Sequence, residues 1–163
     1  MRFDNRKISK SLIFILDLIF VFGLVVSFNI YYDIFNENIK ILSENNILIM
    51  ILILTLGTLC TLLIILDLRR ILKTLLEENP FILKNVKLLN KIAIECFIIS
   101  GCYVVNILLN LKQYSYKFLD VSSTIIHTDT EPLIFFLAGI FILVLSVVFK
   151  EAINYKEDSD NTI

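Results

Sequence analysis

Four long apolar runs dominate this sequence and limit what the chain can fold into. An α-helix of about 20 residues crosses a hydrocarbon core about 30 Å thick, because each residue adds about 1.5 Å. Hydrophobic residues make up 57% of the chain, more than the roughly 45–50% typical of globular domains. We therefore predict an all-α polytopic membrane protein, a four-helix transmembrane bundle forming one domain. Its predicted spans are residues 12–32, 47–66, 92–111 and 132–149.

The positive charges of the chain predict its orientation. Twelve of its fifteen Lys and Arg residues lie in the N-terminus, in the connector 67–91 and in the tail 150–163. Loops rich in Lys and Arg stay on the cytoplasmic side of a membrane. We therefore expect both termini and the connector to be cytoplasmic.

The connector 67–91 is polar and charged, yet its pattern is helical. Leucine and isoleucine recur at helical spacing over residues 68–76, and Asn79-Pro80 then interrupts the pattern before a second helical run begins. We predict that helices 2 and 3 extend into the cytoplasm as a hairpin with residues 67–91 at its tip. The apolar stripe of helix 2 needs cover, and we expect the tail to supply part of it through Ile153 and Tyr155. The acidic residues 157–160 would then approach Arg69, Arg70, Lys84 and Lys87.

Small residues at four-residue spacing predict close helix packing. Gly23 and Ser27 form one such pair, and Gly57 and Thr61 form another. Pairs of this kind let helix backbones approach each other within a membrane. They favour a compact arrangement of the four helices, and a homo-oligomer stays open.

Two acids, Asp17 and Glu95, lie inside apolar runs. An ionisable residue within a membrane is a candidate for function, and a proton relay is one interpretation. Both acids, however, lie within two turns of the predicted cytoplasmic interface, where Lys91, Arg69 and Arg70 are in reach. We favour structural ion pairing over proton transfer, and we expect Asp67 to pair in the same way with Arg70, three residues later.

The sequence lacks the patterns expected of catalytic, cofactor or metal sites. Its three cysteines lie within apolar runs and form no CxxC motif, as expected of buried, inert thiols. The single histidine, His127, lies near Asp129 and Glu131, but no second His or Cys supports a metal site. Gly-rich phosphate loops, H-E-x-x-H and G-x-S-x-G are absent. The connector's bases fit a membrane surface better than direct binding of nucleic acid.

The connector and the tail together resemble the DUF2975 family of small bacterial four-span membrane proteins. In that family the connector has basic residues, then Pro-Phe-Ser/Thr-x-x-Asn and spaced leucines, and the chain ends in an acidic run followed by Thr and a β-branched residue. This chain matches at Arg69, Arg70, Pro80, Phe81, Asn85, Leu88 and Ile92, and at Glu157, Asp158, Asp160, Thr162 and Ile163. It departs at Ile82, which replaces the Ser or Thr expected to cap helix 3, so Asn79 would have to cap from upstream.

The resemblance implies a location in the bacterial inner membrane and, often, a neighbouring gene for a small helix-turn-helix regulator. Our first hypothesis is a non-enzymatic regulatory or interaction protein that presents the hairpin to such a regulator. The residues expected to contact it are Arg69, Arg70, Pro80, Phe81, Asn85 and Lys87. The alternative is a small proton-coupled carrier that uses Asp17 or Glu95.

Overall fold

Among the residues that the structure describes, four α-helices and a short β-ladder make up the fold. The computed structural model describes residues 2–36, 44–77, 80–109, 120–121, 126–127 and 130–160. In chain order the elements are α1 Arg2–Asn36, α2 Glu44–Leu76, α3 Leu83–Leu109, β1 Asp120–Val121, β2 Ile126–His127 and α4 Glu131–Asp160. Each helix contains a segment long and apolar enough to cross a membrane. The all-α class and the four candidate spans are confirmed, as expected of a multi-pass membrane protein.

The helices are longer than the apolar runs that predict them. α2 continues without a break from its apolar run to Leu76, and α4 continues to Asp160. The second residue of α4 is Pro132, which fits there because the first turn of a helix leaves its N–H groups unpaired anyway. Placement of the extended ends in the cytoplasm stays a prediction.

The helices pack in chain order. Among the described residues α1 contacts α2, α2 contacts α3 and α3 contacts α4, whereas α1 and α4 do not contact each other. The expectation of a compact bundle is therefore wrong in one respect: among the described residues α1 and α4 do not close the arrangement by packing together. Lipid tails cover apolar side chains as well as protein does, so the outer helices have no hydrophobic need to close into a ring.

The core lies along α3, which packs between α2 and α4. Most of the buried apolar side chains belong to this helix, namely Val86, Leu89, Ile92, Ala93, Cys96 and Ile99. By contrast, the only buried side chain between residues 6 and 32 of α1 is that of Ser9. The fold therefore depends on α3, and α1 is the most peripheral helix.

The glycines differ in what surrounds them. A Cβ atom at Gly23 would lie 3.4 Å from Leu62 Cδ2, so this position lies close against α2. At Gly57 a Cβ atom would meet nothing within 4 Å, so the predicted Gly57/Thr61 pair makes no close helix contact. At Gly139 it would come within 2.8 Å of the Phe97 ring. Close packing through glycine thus occurs between α3 and α4, where the spacing pattern did not predict it.

The extension of α4 follows α3 as far as the connector. Ile153 is buried, as predicted, and the rings of Phe81 and Phe149 pack with centroids 5.5 Å apart. Among the described residues, however, α4 contacts α3 and not α2, so the prediction that the tail covers the stripe of α2 is wrong. The expectation for Tyr155 is also wrong, because its side chain is 73% exposed. Two residues rotate a helix by about 200°, so Ile153 and Tyr155 face opposite sides. Arg69 and Arg70 pair with Asp17 and Asp67 and not with the described part of the tail.

The loop between α3 and α4 contains structure that the sequence did not predict. β1 and β2 pair in antiparallel register, with Asp120 opposite His127 and Val121 opposite Ile126. The side chain of His127 and all of Asp129 lie outside the described residues.

Candidate functional site

A charged cluster joins α2 and α3 where both helices approach the connector. Its centre is Asp67, whose side chain is completely buried. Arg70 Nη1 lies 2.7 Å from Asp67 Oδ1, and Lys91 Nζ lies 2.7 Å from Asp67 Oδ2. Both cations remain about half exposed, so the cluster is an anion held inside the protein by two cations that reach the surface. Charge-assisted contacts of this length are among the stronger polar interactions in proteins.

Lys91 also faces a second buried carboxylate. Its Nζ atom lies 3.5 Å from Glu95 Oε1, one turn along α3. The side chain of Glu95 is only 6% exposed, and its Oε2 atom has no hydrogen-bond partner among the described residues. Lys91 is therefore a partner of two buried acids, and its Nζ atom lies closer to Asp67 than to Glu95.

A second ion pair joins α1 to α2. Arg69 Nε lies 2.8 Å from Asp17 Oδ1, and Arg69 Nη2 donates to Asp17 Oδ2 at 3.1 Å. The guanidinium thus contacts both carboxylate oxygens, a geometry that fixes orientation as well as distance. Both side chains are about 40% exposed, which limits the energy of the pair through solvent screening.

Asn85 organises the turn between α2 and α3. It is fully buried, and its Nδ2 atom donates to Thr74 Oγ1 at 2.6 Å and to the Pro80 carbonyl at 2.7 Å. The Thr74 hydroxyl in turn donates to the Ile71 carbonyl. This network ties the end of α2 to the start of α3 across the proline break. Asn85 thus stabilises the turn that Ile82 cannot cap, and Asn79, the cap expected from sequence, lies outside the described residues.

The comparison with family models gives one match. The model described as "Protein of unknown function (DUF2975)" matches residues 12–163. This chain belongs to the DUF2975 family. Neither the curated proteins nor the solved structures compared with the chain contain a match.

The residues that carried the resemblance have different roles in this DUF2975 protein. Phe81 is 45% exposed and packs on Phe149, so it belongs to both the surface and the contact with α4. Pro80 accepts the hydrogen bond from Asn85, and Lys87 is exposed. Asn85 itself is too deeply buried to touch a partner. Asn85 therefore shapes the turn, and we no longer count it among the residues expected to contact a partner.

The sequence predicts three of the ion pairs, but it does not predict the side-chain contacts that join α2 to α3 across the hairpin. The pairs Asp17–Arg69, Asp67–Arg70 and Lys91–Glu95 were all expected from spacing and proximity, and the structure shows each of them. The Asp67–Lys91 contact and the Thr74–Asn85 hydrogen bond were missed. A signal existed, because members of each pair lie at similar distances on either side of Pro80, as facing residues of an antiparallel hairpin must.

The chemistry of the cluster is that of ion pairing and hydrogen bonding. Within the described ranges no three His, Cys, Asp or Glu side chains come together as a metal site. Cys60 and Cys96 are buried free thiols. What the arrangement can do is hold the connector in a fixed shape and display its outer face.

Proposed function

We propose that this DUF2975 protein is a non-enzymatic membrane protein that presents its α2–α3 connector and the end of α4 to a cytoplasmic protein partner. The observation that carries the proposal is the contact between Phe81 and Phe149. It places the connector beside the extension of α4, so two segments that are distant in sequence form one surface. We define this connector surface by its exposed residues Leu75, Phe81, Leu83, Lys84 and Lys87.

The shape of the connector surface is fixed from beneath. Asp67 joins α2 to α3 through Lys91, and Asn85 joins them again through Thr74. Ile153 is buried at the end of α4, which extends beside α3. A surface held rigidly in this way loses little conformational entropy when a partner binds.

The chemistry of the connector surface fits a protein partner with acidic residues. The large side chains of Phe81 and Leu83 are exposed and lie outside the predicted apolar runs, where we expect no lipid to cover them. Exposed apolar patches rimmed by polar residues are typical of interaction sites. Lys84 and Lys87 make no ion pair with any described residue, whereas the buried acids Asp67 and Glu95 already have Lys91 as a partner. Positive charge therefore remains available to a partner.

In this proposal the connector surface lies in the cytoplasm and binds a small DNA-binding regulator. The excess of Lys and Arg in the connector and termini supports a cytoplasmic position for this surface. Family resemblance supports a bacterial inner membrane and a small helix-turn-helix regulator as the partner. In this proposal the protein holds the regulator at the membrane and does not itself contact nucleic acid.

Site-specific photocrosslinking in native membranes tests the proposal. A photoreactive amino acid at Leu83 should capture a small soluble DNA-binding protein, identified by mass spectrometry. Leu52 is the matched control, since it is similarly exposed but lies within an apolar run. Lys87→Glu should reduce capture from position 83 several-fold. Capture of only lipid or of the protein's own chain at position 83 would overturn the proposal.

One observation favours a second candidate, a proton-coupled carrier. Glu95 is buried within an apolar helix and one of its carboxylate oxygens has no partner among the described residues. A buried acid of this kind is the usual starting point for a proton relay. Against it, two nitrogens of the Arg69 guanidinium hold the two carboxylate oxygens of Asp17, an arrangement typical of a structural ion pair.

A further inference from the structure

A cavity of about 580 Å³ lies between α1, α2 and α3, with Phe135 of α4 at its edge. Its wall follows α2 from Met50 to Ile65, a rise of about 22 Å. The cavity therefore follows the apolar run of α2 and ends within two residues of Asp67. Its volume falls inside the range of roughly 300–1,000 Å³ found for binding sites of small organic molecules.

The wall of this cavity is apolar even where its residues carry hydroxyl groups. Ser27 donates to the Gly23 carbonyl at 2.7 Å, Thr58 to the Leu54 carbonyl at 3.0 Å and Thr61 to the Gly57 carbonyl at 2.9 Å. Each hydroxyl is thus satisfied by its own helix. Asn106 is likewise already engaged, and the described lining contains no charged residue. The cavity accordingly suits a neutral, apolar occupant.

The packing of the helices leaves this cavity open on one side. α1 contacts α2 but neither α3 nor α4 among the described residues, so the side between α1 and Phe135 is not closed by helix packing. Water needs two to four polar partners to settle in a cavity, and most residues of this wall are apolar. An empty cavity would lose the dispersion contacts of its lining.

We propose that this cavity is a binding site for one acyl chain of a bilayer lipid. The length of the wall is comparable to an extended acyl chain, and it lies at the depth where such chains occur. The neutral lining matches a hydrocarbon and offers nothing to a charged or strongly polar ligand. This inference is independent of the proposed partner at the connector surface.

Two glycines provide a matched test. Gly57 lines the cavity, and a Cβ atom there would meet nothing within 4 Å, so a larger side chain at this position fills the cavity without a clash. Gly101 in α3 also has open space at its Cβ position but does not line the cavity. Gly57→Leu and Gly101→Leu therefore make the same chemical change in two membrane helices, and only the first reaches the cavity.

The experiment uses the full-length protein in vesicles of phosphatidylethanolamine and phosphatidylglycerol that contain a phospholipid with a diazirine on its acyl chain. After illumination, mass spectrometry should find the lipid on peptides from the cavity wall in the wild type and in Gly101→Leu. Labelling of those peptides should fall at least fivefold in Gly57→Leu. Cys102→Phe, which narrows the cavity from α3, should reduce labelling as well and provides a second variant if Gly57→Leu does not fold.

Unchanged labelling of the wall in a folded cavity-filling variant would overturn the inference. Absence of lipid from the wall peptides of the wild type would overturn it too, by showing that no acyl chain occupies the cavity. Unchanged melting temperatures of both leucine variants exclude unfolding as the cause of lost labelling.

Discussion

Lys91 Nζ lies 2.7 Å from Asp67 Oδ2 and 3.5 Å from Glu95 Oε1, so one lysine of α3 contacts two buried acids. The Asp67 and Glu95 side chains are 0% and 6% exposed, whereas that of Lys91 is 45% exposed. Loss of an acid leaves a cation that water can reach. Loss of the lysine leaves Asp67 with Arg70 alone and leaves the buried Glu95 without an ion-pair partner among the described residues. This asymmetry gives the first prediction.

Lys91→Met should destabilise the protein by about 1–3 kcal/mol, the cost of leaving the buried Glu95 carboxylate without a partner. Arg70→Met should cost clearly less, because Asp67 would keep its contact with Lys91. Thermal unfolding in detergent micelles measures both. Adding Glu95→Gln to Lys91→Met should restore part of the lost stability by removing one stranded charge. Equal effects of the two methionine variants would contradict this account of the cluster.

Thr74→Val should destabilise the protein by about 1–2 kcal/mol, because it removes an acceptor for the buried Asn85 amide while keeping the side-chain shape. Thr61→Val is the control, since its hydroxyl bonds only to its own helix. It should change stability by less than about 0.5 kcal/mol, the usual range for neutral substitutions. The same thermal unfolding assay compares them. A control as destabilised as Thr74→Val would show that the turn does not depend on this hydrogen bond.

Gly139→Ala should destabilise the contact between α3 and α4 by about 1–3 kcal/mol through overpacking. Its new Cβ atom would lie 2.8 Å from the Phe97 ring, which in turn packs on Phe136 and cannot move freely. Gly101→Ala, which meets open space, should have almost no effect. Phe97→Leu should partly rescue Gly139→Ala when the two are combined. Absence of rescue would place the cause of the destabilisation elsewhere.

Asp17→Asn and Glu95→Gln should leave proton flux into proteoliposomes at the level of the wild type. The reason is that Asp17 is fixed by Arg69 and that Glu95 lies beside Lys91, as structural acids would. Fluorescence of a trapped pH indicator measures the flux. A proton-coupled flux that either substitution abolishes would favour the carrier over the interaction protein.

Cysteine labelling should show on which side of the membrane the connector and the loop between α3 and α4 lie. In a background without the three native cysteines, Cys at Asn79 should react with an impermeant maleimide only after the cells are opened. Cys at Thr124, in the loop between α3 and α4, should react in intact cells. The uneven distribution of Lys and Arg is the basis for this expectation. The opposite pattern would reverse the topology and remove the cytoplasmic partner.

The sequence predicts the helices well because their signal is local. A run of 20 apolar residues is sufficient to indicate a membrane helix, and helical periodicity is sufficient to extend α2 to Leu76. It also indicates ion pairs one turn apart, as between Asp67 and Arg70. To predict contacts across the hairpin one must also know which residues of α2 and α3 face each other, and helical periodicity does not give this register. For that reason the sequence did not predict the Asp67–Lys91 and Thr74–Asn85 contacts.

How the helices pack against one another was harder to predict for a physical reason. In water, an apolar face must find another face, so amphipathicity indicates packing. In lipid, an apolar face is already covered, and Gly57 can face a cavity while Gly139 packs on Phe97. Tyr155 shows the same difficulty in α4. Which face of the helix packs against protein decides whether Tyr155 or Ile153 is buried.

Packing in chain order has a consequence for biosynthesis. Among the described residues each helix finds its partner in the helix synthesised just before it, and α1 never has to wait for α4. A nascent chain that has released α1 and α2 into the bilayer already contains every helix that α1 touches. Assembly can therefore advance one helix at a time as the chain is inserted, with short loops to close at each step. The Asp67–Lys91 and Phe81–Phe149 contacts would then form in that order, as α3 and then α4 leave the translocation machinery.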